Sequence, residues 1–114
     1  MGKQGELDLT TEDFAIVRAI LNQFVPSRPV FVFGSRVTGR ARRRSDLDLA
    51  IGGDTPLGSS LRADLMEAFD ESDLPIRVDV VDLAEARGVF RQRMESEWLP
   101  LEAAAKQLAL GNAA

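Results

Sequence analysis

Apolar residues at Phe14, Val17, Ile20, Leu21 and Phe24 recur every three to four positions, the spacing of one buried helix face. They predict an amphipathic helix over 11–24. Thr10, with Asp13 three residues on, resembles a capping box in which Asp replaces the usual Glu. Pro26 and Pro29 end that helix and hand over to Val30-Phe31-Val32-Phe33, a continuous apolar run that reads as a buried strand. Gly34 follows, then Ser35 to Thr38, a short helix with Ser35 as its cap and Gly39 as its stop. Asp46 to Ile51 alternates polar and apolar, the pattern of a half-buried strand.

Gly52 to Pro56 is a turn by composition. Leu57, Leu61, Leu65, Ala68 and Phe69 predict a second amphipathic helix ending near Asp70. An acidic loop closed by Pro75 leads into a third strand, Ile76 to Val81. Leu83, Ala86, Phe90 and Met94 carry helical spacing to Glu97, with Gly88 tolerated inside it, until Trp98-Leu99-Pro100 breaks the pattern. Leu101 to Leu110 is Ala-rich and helical, with an apolar stripe of Leu101, Ala105, Leu108 and Ala109 expected to stay partly exposed for a partner. Residues 1–9, polar and aperiodic, read as a flexible lead-in to a single domain over 10–114. The order of elements implies an α/β (α+β) domain: a mixed three- to four-stranded sheet with helices mainly on one face and the other face open.

Composition narrows the chemistry. The 114 residues are 45% hydrophobic and 28% charged, ordinary for one small folded domain. A net charge of −4 and a pI near 4.8 argue against direct nucleic-acid binding. Five of the fourteen basic residues nevertheless crowd between Arg36 and Arg44, a local field suited to a small polyanion. With no Cys, His or Tyr, catalysis must rest on carboxylates, hydroxyls, Lys or Arg and on oxygen-seeking ions such as Mg²⁺ or Mn²⁺. No apolar run is long enough to span a membrane and no signal-peptide core is present, so the expected location is cytoplasmic.

Candidate chemistry concentrates between Val30 and Ile51. Gly34 and Ser35, at the junction of strand and helix, present backbone N–H groups to an anion. Strand alternation places Asp46 and Asp48 on one face, about 6.6 Å apart at ~3.3 Å per residue. Carboxylates at that spacing serve a site for one or two Mg²⁺ ions ~3.5–4 Å apart. Arg36 and one or two of Arg40, Arg42, Arg43 and Arg44 are candidates for phosphate contact. Ser45 either donates its hydroxyl to phosphate or caps the strand entry. Asp79, mid-strand, needs a cation or a partner, and Arg77 on the same face is the available partner. Asp82, one register out, suits the N-cap of the next helix; a shifted register would exchange the two roles.

Gly34-Ser35, ten residues, then Asp46-x-Asp48 resembles the signature of nucleotidyltransferases related to DNA polymerase β. Taken with Arg36, Gly39, Arg42, Ser45 and Leu49, the pattern is most similar to the minimal nucleotidyltransferase (MNT) family, and the resemblance covers nearly the whole chain. It implies the polymerase-β-like fold and Asp79 as a third carboxylate beside Asp46 and Asp48. It also implies Mg²⁺-dependent transfer of AMP from ATP to a Tyr hydroxyl of a HEPN-domain toxin, this chain being the antitoxin. Two alternatives stay open: an antitoxin that only binds, and an enzyme acting on a small hydroxylated molecule.

Overall fold

The computed structural model describes residues 5–113, with side chains described through 109. The first four residues of the expected lead-in, and residue 114, lie outside the described part. The elements are α1 (Thr11–Phe24), β1 (Val30–Phe33), α2 (Ser35–Thr38), β2 (Leu47–Ile51), α3 (Ser59–Glu71), β3 (Val78–Asp82), α4 (Gly88–Glu97), β4 (Leu99–Pro100) and α5 (Leu101–Ala113). The strands form one mixed sheet in the order β3-β2-β1-β4. β2 runs parallel to β3 and antiparallel to β1, and β4 pairs antiparallel with β1. This is the expected mixed four-stranded architecture; the fourth strand is the Leu99-Pro100 pair that breaks the helical pattern.

The strand alternation sorts the sheet's two faces. Val30, Val32, Leu47, Leu49, Ile51, Val78 and Val80 point to one side and make the main core with Val17 and Leu21 of α1, Leu65 and Phe69 of α3, and Leu101 and Ala104 of α5. Phe33, Ala50, Leu83, Ala86 and Met94 form a smaller cluster on the other side, so α4 covers part of the face expected to be open. Burying such side chains is worth about 1.5–3 kcal/mol each. Thr10 caps α1, its hydroxyl accepting from the Asp13 N–H at 3.1 Å. No helix among the described residues is long and apolar enough to cross a membrane.

Two expectations change. Residues 5–9 are docked rather than loose: Leu7 is buried, the Gly5 and Asp8 amides donate to the Val37 and Arg36 carbonyls, each at 2.7 Å, and the Leu7 amide donates to Gln107 of α5. The helix expected from Leu83 begins only at Gly88, whose φ of +64° lies in the left-handed region and interrupts any continuous helix. Asp82 to Ala86 form tight turns instead. The stripe on α5 is partly exposed, as expected: Leu101 is buried, Ala105 and Leu108 pack half-exposed against the main core, and Ala109 stays exposed. The large hydrophobic side chains exposed among the described residues are Val89 and Phe90 of α4.

Candidate active site

The site forms where β1 ends beside β2. Phe33 lies opposite Asp48 in the antiparallel register, so Gly34 passes directly over the Asp48 carboxylate. Gly34 has φ +80° and ψ −159°, a conformation closed to L side chains, and a β-carbon there would run into Asp48 Oδ2. The close approach is the reason for the glycine: any side chain at position 34 would collide with Asp48. Gly34, not Ser35, occupies the N-cap of α2, and no side chain caps that helix. Ser35 is therefore the first helical residue, half-exposed and spared a capping role.

Asp48 is the electrostatic centre. Burial first, then the charges of Asp79, Asp46 and Glu97, push its carboxyl from 3.8 up to about 6. Asp79 stands directly across from it in the parallel register, Asp48↔Asp79. Asp46 lies one residue before β2 and on the same side as Asp48. Concentrated negative charge over hard oxygen donors fits a divalent cation of the Mg²⁺ type. Among the described residues, no three acidic or His or Cys side chains converge closely enough to hold an ion by themselves. That suits Mg²⁺, which is commonly held by one or two carboxylates together with substrate phosphates. Asp79 meanwhile pairs with Arg77 at 3.4 Å on the sheet edge, both partners well exposed.

The remaining residues singled out by sequence divide sharply. Arg36 turns inward. Its guanidinium is buried and spends its donors on backbone carbonyls: Asp8 at 2.8 Å, Ser45 at 2.9 and 3.1 Å, Arg43 at 3.2 Å and Arg42 at 3.4 Å. It is the strut of the basic loop. Ser45 accepts from the Arg42 amide at 2.8 Å, closing the loop just before Asp46. Arg40, Arg42, Arg43 and Arg44 stay exposed, and Arg43 and Arg44 line a surface pocket with Asp46 and Arg77. Asp82 is buried on the opposite face of the sheet, where it accepts from the Leu57 amide at 2.8 Å and the Ala84 amide at 3.1 Å. It ties the segment before α3 to the end of β3, so the unshifted register leaves Asp79 alone beside Asp48.

Sequence reasoning missed Glu97. Its carboxylate accepts from the Gly34 amide at 3.1 Å and adds to the field on Asp48. No local pattern marks it; its position follows from the pairing of β4 with β1.

Known proteins resemble this chain over most of its length. A family model described as "Polymerase beta, Nucleotidyltransferase" matches residues 17–99. A probable protein adenylyltransferase MntA from Haemophilus influenzae is 46% identical over 97 residues, covering 85% of each chain. A chain in a toxin–antitoxin crystal structure with AMP-PNP superposes with a TM-score of 0.67 at 25% identity, covering 88% of this chain and 87% of that one. A chain in a complex of tri-AMPylated Shewanella oneidensis HEPN toxin with MNT antitoxin shares the fold, with a TM-score of 0.64 at 22% identity and coverage of 92% and 88%.

Proposed function

Since this chain belongs to the polymerase β nucleotidyltransferase family, we propose that it is the antitoxin of a HEPN toxin pair and transfers AMP from ATP to a Tyr hydroxyl of that toxin. The observation that carries the reading is the contact of Gly34 with Asp48, which sets amides for a polyphosphate against carboxylates for its counter-ion. The relative at 46% identity is a probable protein adenylyltransferase, and structural neighbours come from toxin–antitoxin complexes, one with AMP-PNP. Both support the choice of ATP and of a protein acceptor.

In this mechanism the amides of Gly34 and Ser35 and the Ser35 hydroxyl bind the outer phosphates. Asp46 and Asp48 would hold Mg²⁺ (or Mn²⁺), which when bound supplies positive charge to the entering and leaving oxygens. Asp79, across from Asp48, takes the proton of the acceptor hydroxyl. The tyrosyl oxygen then forms a bond to the α-phosphorus as the bond to the bridging oxygen breaks, and pyrophosphate leaves. The Arg77 pair on Asp79 is solvent-exposed and of little energetic weight, so it yields readily to the acceptor. Arg43 and Arg44 remain free to meet phosphate, whereas Arg36 and Ser45 contribute by fixing the loop that delivers Asp46.

Among the described residues α4 covers only part of the sheet's carboxylate face, which leaves room for an acceptor carried by another molecule. Phe90 projects there, its ring edge-on to Phe33 with centroids 6.2 Å apart, and Val89 beside it is more exposed still. This patch, rather than α5, borders the site and is the surface for the toxin. Intact-mass spectrometry of the purified pair with ATP and Mg²⁺ tests the proposal: the toxin gains one or more AMP units and loses RNase activity. A toxin that is neutralised without any mass gain overturns catalysis and leaves binding alone. AMP found on a small hydroxylated compound, with no toxin bound, overturns the antitoxin reading.

A further inference from the structure

Glu97 is the last residue of α4, and the next two positions after Trp98 are β4. β4 pairs with β1 through Val32↔Leu99 and Phe31↔Pro100. Carried back along the same antiparallel register, Trp98 falls opposite Phe33 and Glu97 opposite Gly34. The Trp98 ring stacks on Phe31, centroids 3.9 Å apart and planes 11° from parallel, which fixes the chain at this point. The backbone of Glu97 is thereby pinned beside the anion-binding turn, and only its flexible side chain is free to turn. That side chain uses its freedom to accept from the Gly34 amide at 3.1 Å.

We propose that Glu97 is a placeholder for the nucleotide: in the free protein its carboxylate holds the Gly34 N–H that an outer phosphate oxygen takes when a nucleoside triphosphate binds. This rests on the function proposed above. One N–H cannot serve two anions, and a carboxylate left beside a triphosphate would repel it. Nucleotide entry therefore requires the Glu97 side chain to swing off Gly34 toward solvent, which its half-exposed position permits without moving β4. The charge of the same carboxylate also acts on Asp48. Its departure removes one negative charge from the place where a cation and its triphosphate assemble. Its return, once pyrophosphate forms, competes with product for the amide. Glu97 is thus a positioning residue that sets nucleotide affinity rather than a group in the bond-making step.

The test is binding, not turnover. Calorimetric titration of AMP-PNP with Mg²⁺ into the wild type, Glu97→Gln and Glu97→Ala should show tighter binding in both variants, by about tenfold in Glu97→Ala, where a charge-assisted hydrogen bond no longer has to be broken. In ¹H–¹⁵N spectra the Gly34 amide should shift on nucleotide addition in the wild type and should already be displaced in nucleotide-free Glu97→Ala. Glu97→Gln is nearly isosteric and guards against misfolding. Unchanged affinity, with only a lower melting temperature, would make Glu97 a structural cap and overturn the proposal. Weaker binding of AMP-PNP or of Mg²⁺ alone would make it a ligand and overturn it equally. In both cases wild-type binding leaves the nucleotidyltransferase reading intact. Failure of the wild type and both variants to bind AMP-PNP would instead overturn that reading, and this one with it.

Discussion

Asp48 and Asp79 stand directly opposite each other on parallel strands β2 and β3, two carboxylates on one face with no residue between them. Such a pair costs the fold energy, and a cation or a proton relieves it. The consequences are measurable.

The first concerns pH. Asp48 is raised from 3.8 to about 6, so the folded protein holds this proton more firmly than the unfolded chain does. Its favourable contribution is complete below pH ~4 and is lost as pH rises through ~6. Asp48→Asn should therefore raise the stability of the nucleotide-free protein at pH 7.5 by about 1 kcal/mol, a figure discounted for partial exposure, and by almost nothing at pH 4. Mg²⁺ with nucleotide should raise the melting temperature of the wild type through linkage, less so below pH 6, and hardly that of the variant. Thermal melts across pH, with and without Mg²⁺ and AMP-PNP, check both.

The second separates the two acids of β3. Asp82→Ala should destabilise by about 1–3 kcal/mol, since the buried Leu57 amide loses its acceptor, while Mg²⁺–nucleotide binding persists. Asp79→Asn should leave stability unchanged or slightly improved and abolish AMP transfer. Urea melts paired with the mass assay distinguish them; a reversed outcome would reinstate Asp82 as the third carboxylate.

Arg36 should behave as a core residue despite its charge. Arg36→Ala strips the Ser45, Arg43 and Asp8 carbonyls of their shared donor and should cost about 3 kcal/mol. Arg36→Lys, lacking the planar fork, should recover only part of that. Ser35→Ala should do the opposite, weakening AMP-PNP binding while melting normally, because Ser35 makes no cap bond. Denaturant curves and calorimetry on the three variants suffice.

Val89→Glu places a charge on the exposed apolar patch at a side chain that is 79% exposed. It should leave the melting temperature within about 1 °C while weakening the toxin complex at least tenfold. Replacing Leu108 on α5 with Glu should instead destabilise the fold, as that side chain packs against the main core. Size-exclusion chromatography of mixed chains reads the difference.

What the chain determined by itself was periodic or local. The spacing of Phe14, Val17 and Leu21 marks the buried face of α1, and Thr10 caps it as its sequence announces. Alternation alone sets Asp48 on the face opposite Leu47 and Leu49, and places Asp79 opposite in sense to Val78 and Val80. Tertiary structure decided what those faces meet. The register that puts Asp79 beside Asp48 also turns Asp82 toward the core, and it follows from the packing of whole strands, not from either residue. Arg36 lies in a basic cluster that a local reading takes for a phosphate site. The carbonyls that consume its guanidinium come from Asp8 and from the loop ending at Ser45, brought in only by folding. Glu97 enters the site through a two-residue strand too short to leave a pattern. Periodicity is a property of neighbouring residues, and the chain carries it openly; the partner of a charge is chosen by the summed contacts of distant segments, and appears only when they pack.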